Sequence, residues 1–205
     1  MKSHHTLIAF GTLIFAAACG GDSSTGPKPD AQPFDRPTGA PFALPSGIST
    51  VGTLRGPDES CDAATRVGFS SQLVEVCMTL HNSTANTITT TFPPGIILIS
   101  KTGEVQNGTQ VQSVAVPVRA GSDTTIVLEL YCVNLTRHAT SPGDEYTLGV
   151  VSDHSGLRDL LTIIANKQID ESSVWDVQDA IWEISDGDGL TPEARAAMEA
   201  LPDRT

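Results

Sequence analysis

Two side chains stand out for their chemistry, a thiol and a carboxamide that both face apolar stripes. Cys132 lies in phase with Ile126, Leu128 and Leu130, on one face of a strand-like run. Gln178 lies in a helical stretch with Val174, Val177, Ile181 and Trp182, a set spaced i, i+3, i+4, i+7 and i+8. It therefore points with the apolar stripe and away from Asp176, Asp179 and Glu183. A buried thiol on its own is an ordinary small hydrophobe. A buried amide is different, because without hydrogen bonds it costs several kcal/mol, unless its chemistry has been changed. The sequence offers neither group an obvious partner.

The elements that must position these residues begin after a distinctive N-terminus. Lys2 precedes an apolar run from Thr6 to Ala18, too short to span a bilayer, which takes about 20 residues. It reads as a secretory h-region. The run ends Phe15-Ala16-Ala17-Ala18-Cys19-Gly20, which resembles the bacterial lipobox. The resemblance implies removal of residues 1–18 as a signal peptide and diacylglycerol on Cys19, so the partner at this end is the lipid bilayer. Gly20 and Gly21 follow the cysteine with no Asp directly after it, which by resemblance to lipoprotein sorting favours the outer membrane where there are two. Residues 19–45 hold Pro27, Pro29, Pro33, Pro37, Pro41 and Pro45 without apolar periodicity, and read as a tether reaching up to about 80 Å.

Short alternating runs separated by turn residues then fill residues 46–135. Val74, Val76, Met78 and Leu80 share one face, and further runs cover 87–92, 96–99, 111–118 and 124–133. The spacing predicts an antiparallel immunoglobulin-like β-sandwich, with residues 146–151 as a candidate extra strand. Residues 136–205 then change period and predict two or three short helices packed on the sandwich. Leu157, Leu160, Leu161 and Ile164 mark the first, Ser173 with Asp176 a capping box for the second, and Thr191-Pro192-Glu193 the start of the third. The fold class expected is mainly β with C-terminal α.

The chain has 205 residues with 12 Lys plus Arg against 24 Asp plus Glu, a net charge of −12. That balance argues against nucleic acid and against anionic lipid surfaces as partners. In an exported chain disulfides persist. Cys61 and Cys77 flank a turn and are the expected pair, although sequence alone leaves Cys77 with Cys132 open. An odd cysteine remains, Cys132. His138 and His154 are candidate bases for a thiol nucleophile, but no peptidase motif surrounds them. Cys77 and His81 share a strand face without further zinc ligands, and Asp186-Gly187-Asp188-Gly189 lacks the later calcium ligands of an EF-hand. No catalytic residue, metal or cofactor is assigned. The sequons at Asn82, Asn107 and Asn134 read as turn and strand-edge residues.

One resemblance joins the two core-facing side chains. Tyr131-Cys132-Val133 followed by Val177-Gln178-Asp179-Ala180-Ile181-Trp182 resembles the bacterial thioester domains of surface adhesins, whose motifs are an aromatic-Cys pair and a Gln-x-Ala-φ-Trp helix. It implies that Cys132 is the thioester sulfur, Gln178 the acyl donor, and a lysine amine on a host partner the nucleophile. Only Lys28, Lys101 and Lys167 follow Cys19, so few internal amines compete. The function expected is a membrane-anchored, extracytoplasmic lipoprotein displaying a non-enzymatic binding or adhesion domain for a protein or glycan ligand. The first alternative is covalent capture of amines through Cys132 and Gln178, and the second a cell-envelope hydrolase using Cys132 with a histidine.

Overall fold

The computed structural model describes residues 32–205. The signal peptide, the lipidation site at Cys19 and the first part of the tether lie outside them. Ten strands and three helices follow in chain order: β1 (Gly39–Pro41), β2 (Ile48–Arg55), β3 (Thr65–Val67), β4 (Val74–Asn82), β5 (Ile88–Phe92), β6 (Ile96–Ser100), β7 (Gly108–Thr109), β8 (Val114–Val118), β9 (Asp123–Cys132), β10 (Glu145–Ser152), α1 (Ser155–Ile164), α2 (Val174–Ser185) and α3 (Pro192–Ala200). Among the described residues no helix is long and apolar enough to cross a membrane.

The β region is a closed six-stranded barrel, not the expected immunoglobulin-like sandwich. Its wall runs β10-β2-β4-β9-β7-β6 and returns to β10, which pairs with β2 through Glu145 and Tyr146 and with β6 through Tyr146, Thr147, Leu148 and Val151. Alternation along each strand is the same in a sandwich and a barrel, since both present one apolar face inward. What distinguishes them is the closing strand. It lies beyond residue 135, so the barrel extends past the 46–135 span expected for the sandwich. β1, in the stretch read as tether, also pairs with β10.

The inward face collects Val74, Val76, Met78 and Leu80 from β4 with Ile126, Leu128, Leu130 and Cys132 from β9. The separate β5–β8 ribbon adds Phe92, Val116 and Val118 to the same core. A second core lies between the outer side of the wall, including Ile97, Tyr131 and Val133, and the helices, which contribute Leu157, Leu160, Val177, Ile181 and Met198. Residues 131 and 132 therefore face different cores, as strand pleating requires.

The helices start where their sequence signals place them, with one difference. Thr191 Oγ1 accepts from the Ala194 amide and Pro192 occupies the first turn of α3. Ser173 makes no side-chain cap to α2; its hydroxyl instead accepts from the Asp170 amide and donates to Asp170, tightening the turn before the helix.

Candidate functional site

Cys132 is the last residue of β9, and its surroundings follow from how β4 diverges there. β4 pairs with β9 in register up to Val74 opposite Leu130. Continued two residues further, that register would set Gln72 opposite Cys132. Gln72 instead has φ 61°, the one positive φ outside glycine among the described residues, and the strand turns away. The backbone N–H and C=O of Cys132 then need partners in a buried position.

The side chain of Gln178 supplies both. Its Oε1 accepts from the Cys132 amide at 3.0 Å, and its Nε2 donates to the Cys132 carbonyl at 2.9 Å. The carboxamide from α2 thus fills the gap left by β4. Both residues are fully buried. The helix brings Gln178 there because Val174, Val177, Ala180, Ile181 and Ile184 anchor the same face in the second core.

Trp182, one turn after Gln178, leans on the barrel core and donates its indole Nε1–H to Cys132 Sγ at 3.3 Å. The Asn134 amide donates to the same sulfur at 3.3 Å. Asn134 is held in turn: its Oδ1 accepts from the Asn107 amide and its Nδ2 donates to Asp35, which also pairs with Arg137. Ser71, in the loop before β4, donates its hydroxyl to Gln178 Oε1 at 2.8 Å. Two donors therefore converge on the sulfur and two on the carboxamide oxygen.

Across this short strand end the wall tolerates little bulk. Gly108 sits opposite Cys132, and a Cβ there would lie 2.6 Å from Val74 and 2.7 Å from Leu130. Burial pushes the Cys132 thiol up to about 11, while the Trp182 and Asn134 hydrogen bonds pull it back. A free thiolate nucleophile needs the opposite shift.

The other sequence candidates lie elsewhere. Cys61 and Cys77 form a disulfide, as their spacing predicts, and Cys132 is a free buried cysteine. His154 caps α1 by accepting from the Leu157 amide at 3.4 Å, and no hydrogen bond links it or His138 to Cys132. His81 contacts Asp123 at 2.6 Å, and Asp186 accepts from the Leu135 amide. Ser71 was not a sequence candidate: a polar residue in a Gly/Ser loop carries no signal until the turn at Gln72 aims it. Trp182 closes the Gln-x-Ala-φ-Trp pattern, and lying four residues after Gln178 brings its indole N–H to Cys132 Sγ.

No family model, curated protein or solved structure matches the chain.

Proposed function

We propose that this domain forms an internal thioester between Cys132 and Gln178 and uses it to capture amine-bearing partners covalently, displayed on a tether from lipid at Cys19. The observation carrying this reading is the seating of the Gln178 carboxamide on both backbone polar groups of Cys132, with Trp182 on the sulfur. Holding the acyl group against the residue that carries the thiol lowers the entropic part of the barrier.

The chemistry balances without a cofactor. Cys132 sulfur attacks the side-chain carbonyl carbon of Gln178, forming the C–S bond. The C–N bond of the amide breaks, and the thiol proton leaves with the nitrogen as ammonia. Later, an amine attacks the same carbon, the C–S bond breaks, and the sulfur regains a proton as a new amide forms. The donors on the sulfur stabilise it as it gains charge in the second step.

The test is intact mass. A closed thioester makes the purified domain lighter than its sequence by one ammonia, and methylamine restores mass as an adduct at Gln178. Full sequence mass with no adduct would leave a tethered, non-covalent binding domain. That second reading draws on the exposed side chains Phe69, Leu135 and Trp175, each within three residues of Ser71, Cys132 or Gln178.

A further inference from the structure

The carboxamide oxygen of Gln178 is the atom on which charge gathers in both steps of thioester chemistry. When sulfur or an amine adds to the carbonyl carbon, the C=O electron pair moves onto that oxygen. When the leaving group departs, the pair returns to restore the double bond. A site that supplies fixed donors at that atom lowers both barriers.

This oxygen has two such donors, and they come from separate elements. The Cys132 amide at 3.0 Å belongs to β9, while the Ser71 hydroxyl at 2.8 Å belongs to the loop entering β4. The distances lie in the range for a working oxyanion donor. The amide belongs to the buried last residue of β9, paired with Gly108 on its other side. The hydroxyl is aimed by a loop with a positive φ on either side of it: Gly68 at φ +89°, where a Cβ would lie 2.7 Å from the Glu129 carbonyl, and Gln72 at φ 61°, its amide donating to Ser70 Oγ at 3.1 Å. A side chain held by conformations that ordinary residues avoid is positioned, not incidental. Ser70 is buried and Ser71 half-buried, so this loop is also what lies over the carbonyl.

Resting on the thioester reading, we infer that the Ser71 hydroxyl and the Cys132 amide form an oxyanion hole for the Gln178 carbonyl, making Ser71 a catalytic residue of both thioester formation and amine capture. In aminolysis the amine lone pair forms the new C–N bond and the C=O pair moves to the oxygen between these donors. Its return expels Cys132 sulfur, which takes the proton released by the amine.

The experiment compares wild type, Ser71→Ala and Ser71→Thr on the full mature chain, by intact mass, by the rate of methylamine addition, and by the infrared stretch of the thioester carbonyl. A wild type lacking the ammonia deficit removes the thioester reading and this inference together. With the deficit present, Ser71→Ala should close the bond more slowly and react with methylamine roughly 100-fold more slowly. Its carbonyl stretch should move to higher frequency as a hydrogen bond is lost, and Ser71→Thr should recover most of the rate. Equal rates in wild type and Ser71→Ala, or an unmoved stretch, would overturn the role of Ser71 while leaving the thioester intact. A Ser71→Thr variant as slow as Ser71→Ala would overturn it too. Should Ser71→Ala never close the bond, closure by Ser71→Thr at wild-type melting temperature supports the inference, and failure of both overturns it.

Discussion

The molecule holds two sulfur sites on neighbouring strands, and the pleat of the sheet makes them chemically unlike. Cys77 lies on the outer face of β4 with Cys61 and Val127, beside the Arg55–Asp58 ion pair. Cys132 lies on the inner face of β9, among Leu128, Leu130 and Tyr146. At the first, a second thiol is within reach and the sulfur is spent on a crosslink. At the second, two donors reach the sulfur and two more reach the oxygen of the carboxamide seated on the same residue's backbone. Which atoms surround a sulfur, more than its own residue type, decides whether it is a staple or a reactive centre.

The largest break in this comparison is Cys132→Ala or Gln178→Ala. Each should abolish the ammonia deficit and methylamine incorporation entirely, read by intact mass, whereas Cys61→Ala/Cys77→Ala should leave both in place. The double alanine variant instead tests the staple. Opening a loop of 16 residues should cost about 3 kcal/mol, seen as a lower denaturant midpoint. A change in thioester occupancy in that variant would show the two sites to be coupled.

Next comes alkaline pH. The Cys132 thiol is held at about 11 by burial, above its ordinary value of 9.0, so between these values the unfolded chain has released a proton that the folded one keeps. Stability should therefore be fully present below about 9 and fall as pH rises towards 11, by about 2–3 kcal/mol for this group. Tyr146, pushed up to about 12, adds a fall with the same sign. On the thioester reading the Cys132 part should be visible in Gln178→Ala, which keeps a thiol, and missing from the wild type, whose sulfur would be acylated. Identical pH curves for the two would contradict the closed bond.

The smallest effect belongs to Trp182→Phe, which keeps the ring against the barrel core and removes one N–H from the sulfur. Amine capture should slow by roughly tenfold, the equivalent of about 1.4 kcal/mol, as the departing thiolate loses a donor. In a Gln178→Ala background the same change should raise the pH at which Cys132 reacts with thiol reagents. An unchanged profile would confine Trp182 to packing.

Local pattern made some of this legible in the sequence and left the rest dark. The disulfide followed from two cysteines across a turn, and the helices from 3.6-residue spacing with hydroxyl and proline signals. Cys132 and Gln178 were visible because each sat in phase with apolar neighbours. The barrel was not legible, since closure depends on which strand β10 pairs with, and pairing between distant segments leaves no periodic trace. Ser71 was hidden for a related reason: its aim depends on a positive φ at Gln72, a residue type that gives no warning of it. Ser173 shows the converse. Its capping pattern is present, but Asp170 competes for the hydroxyl and wins.

Closure through β10 also bears on how fast the chain can fold. Glu145–Ser152 must find Leu54–Arg55 and Ile96–Ser100 before the wall is continuous, and it also pairs with Gly39–Pro41 outside the ring. Pairings so far apart along the chain make for slow folding, on the order of milliseconds to seconds. Cys132 precedes this strand and Gln178 follows it, so β10 lies within the loop that the two residues close. Until α2 docks on β9 the glutamine is an inert amide and the cysteine an ordinary thiol. On the thioester reading, a chain that fails to seat Gln178 against Cys132 makes no electrophile.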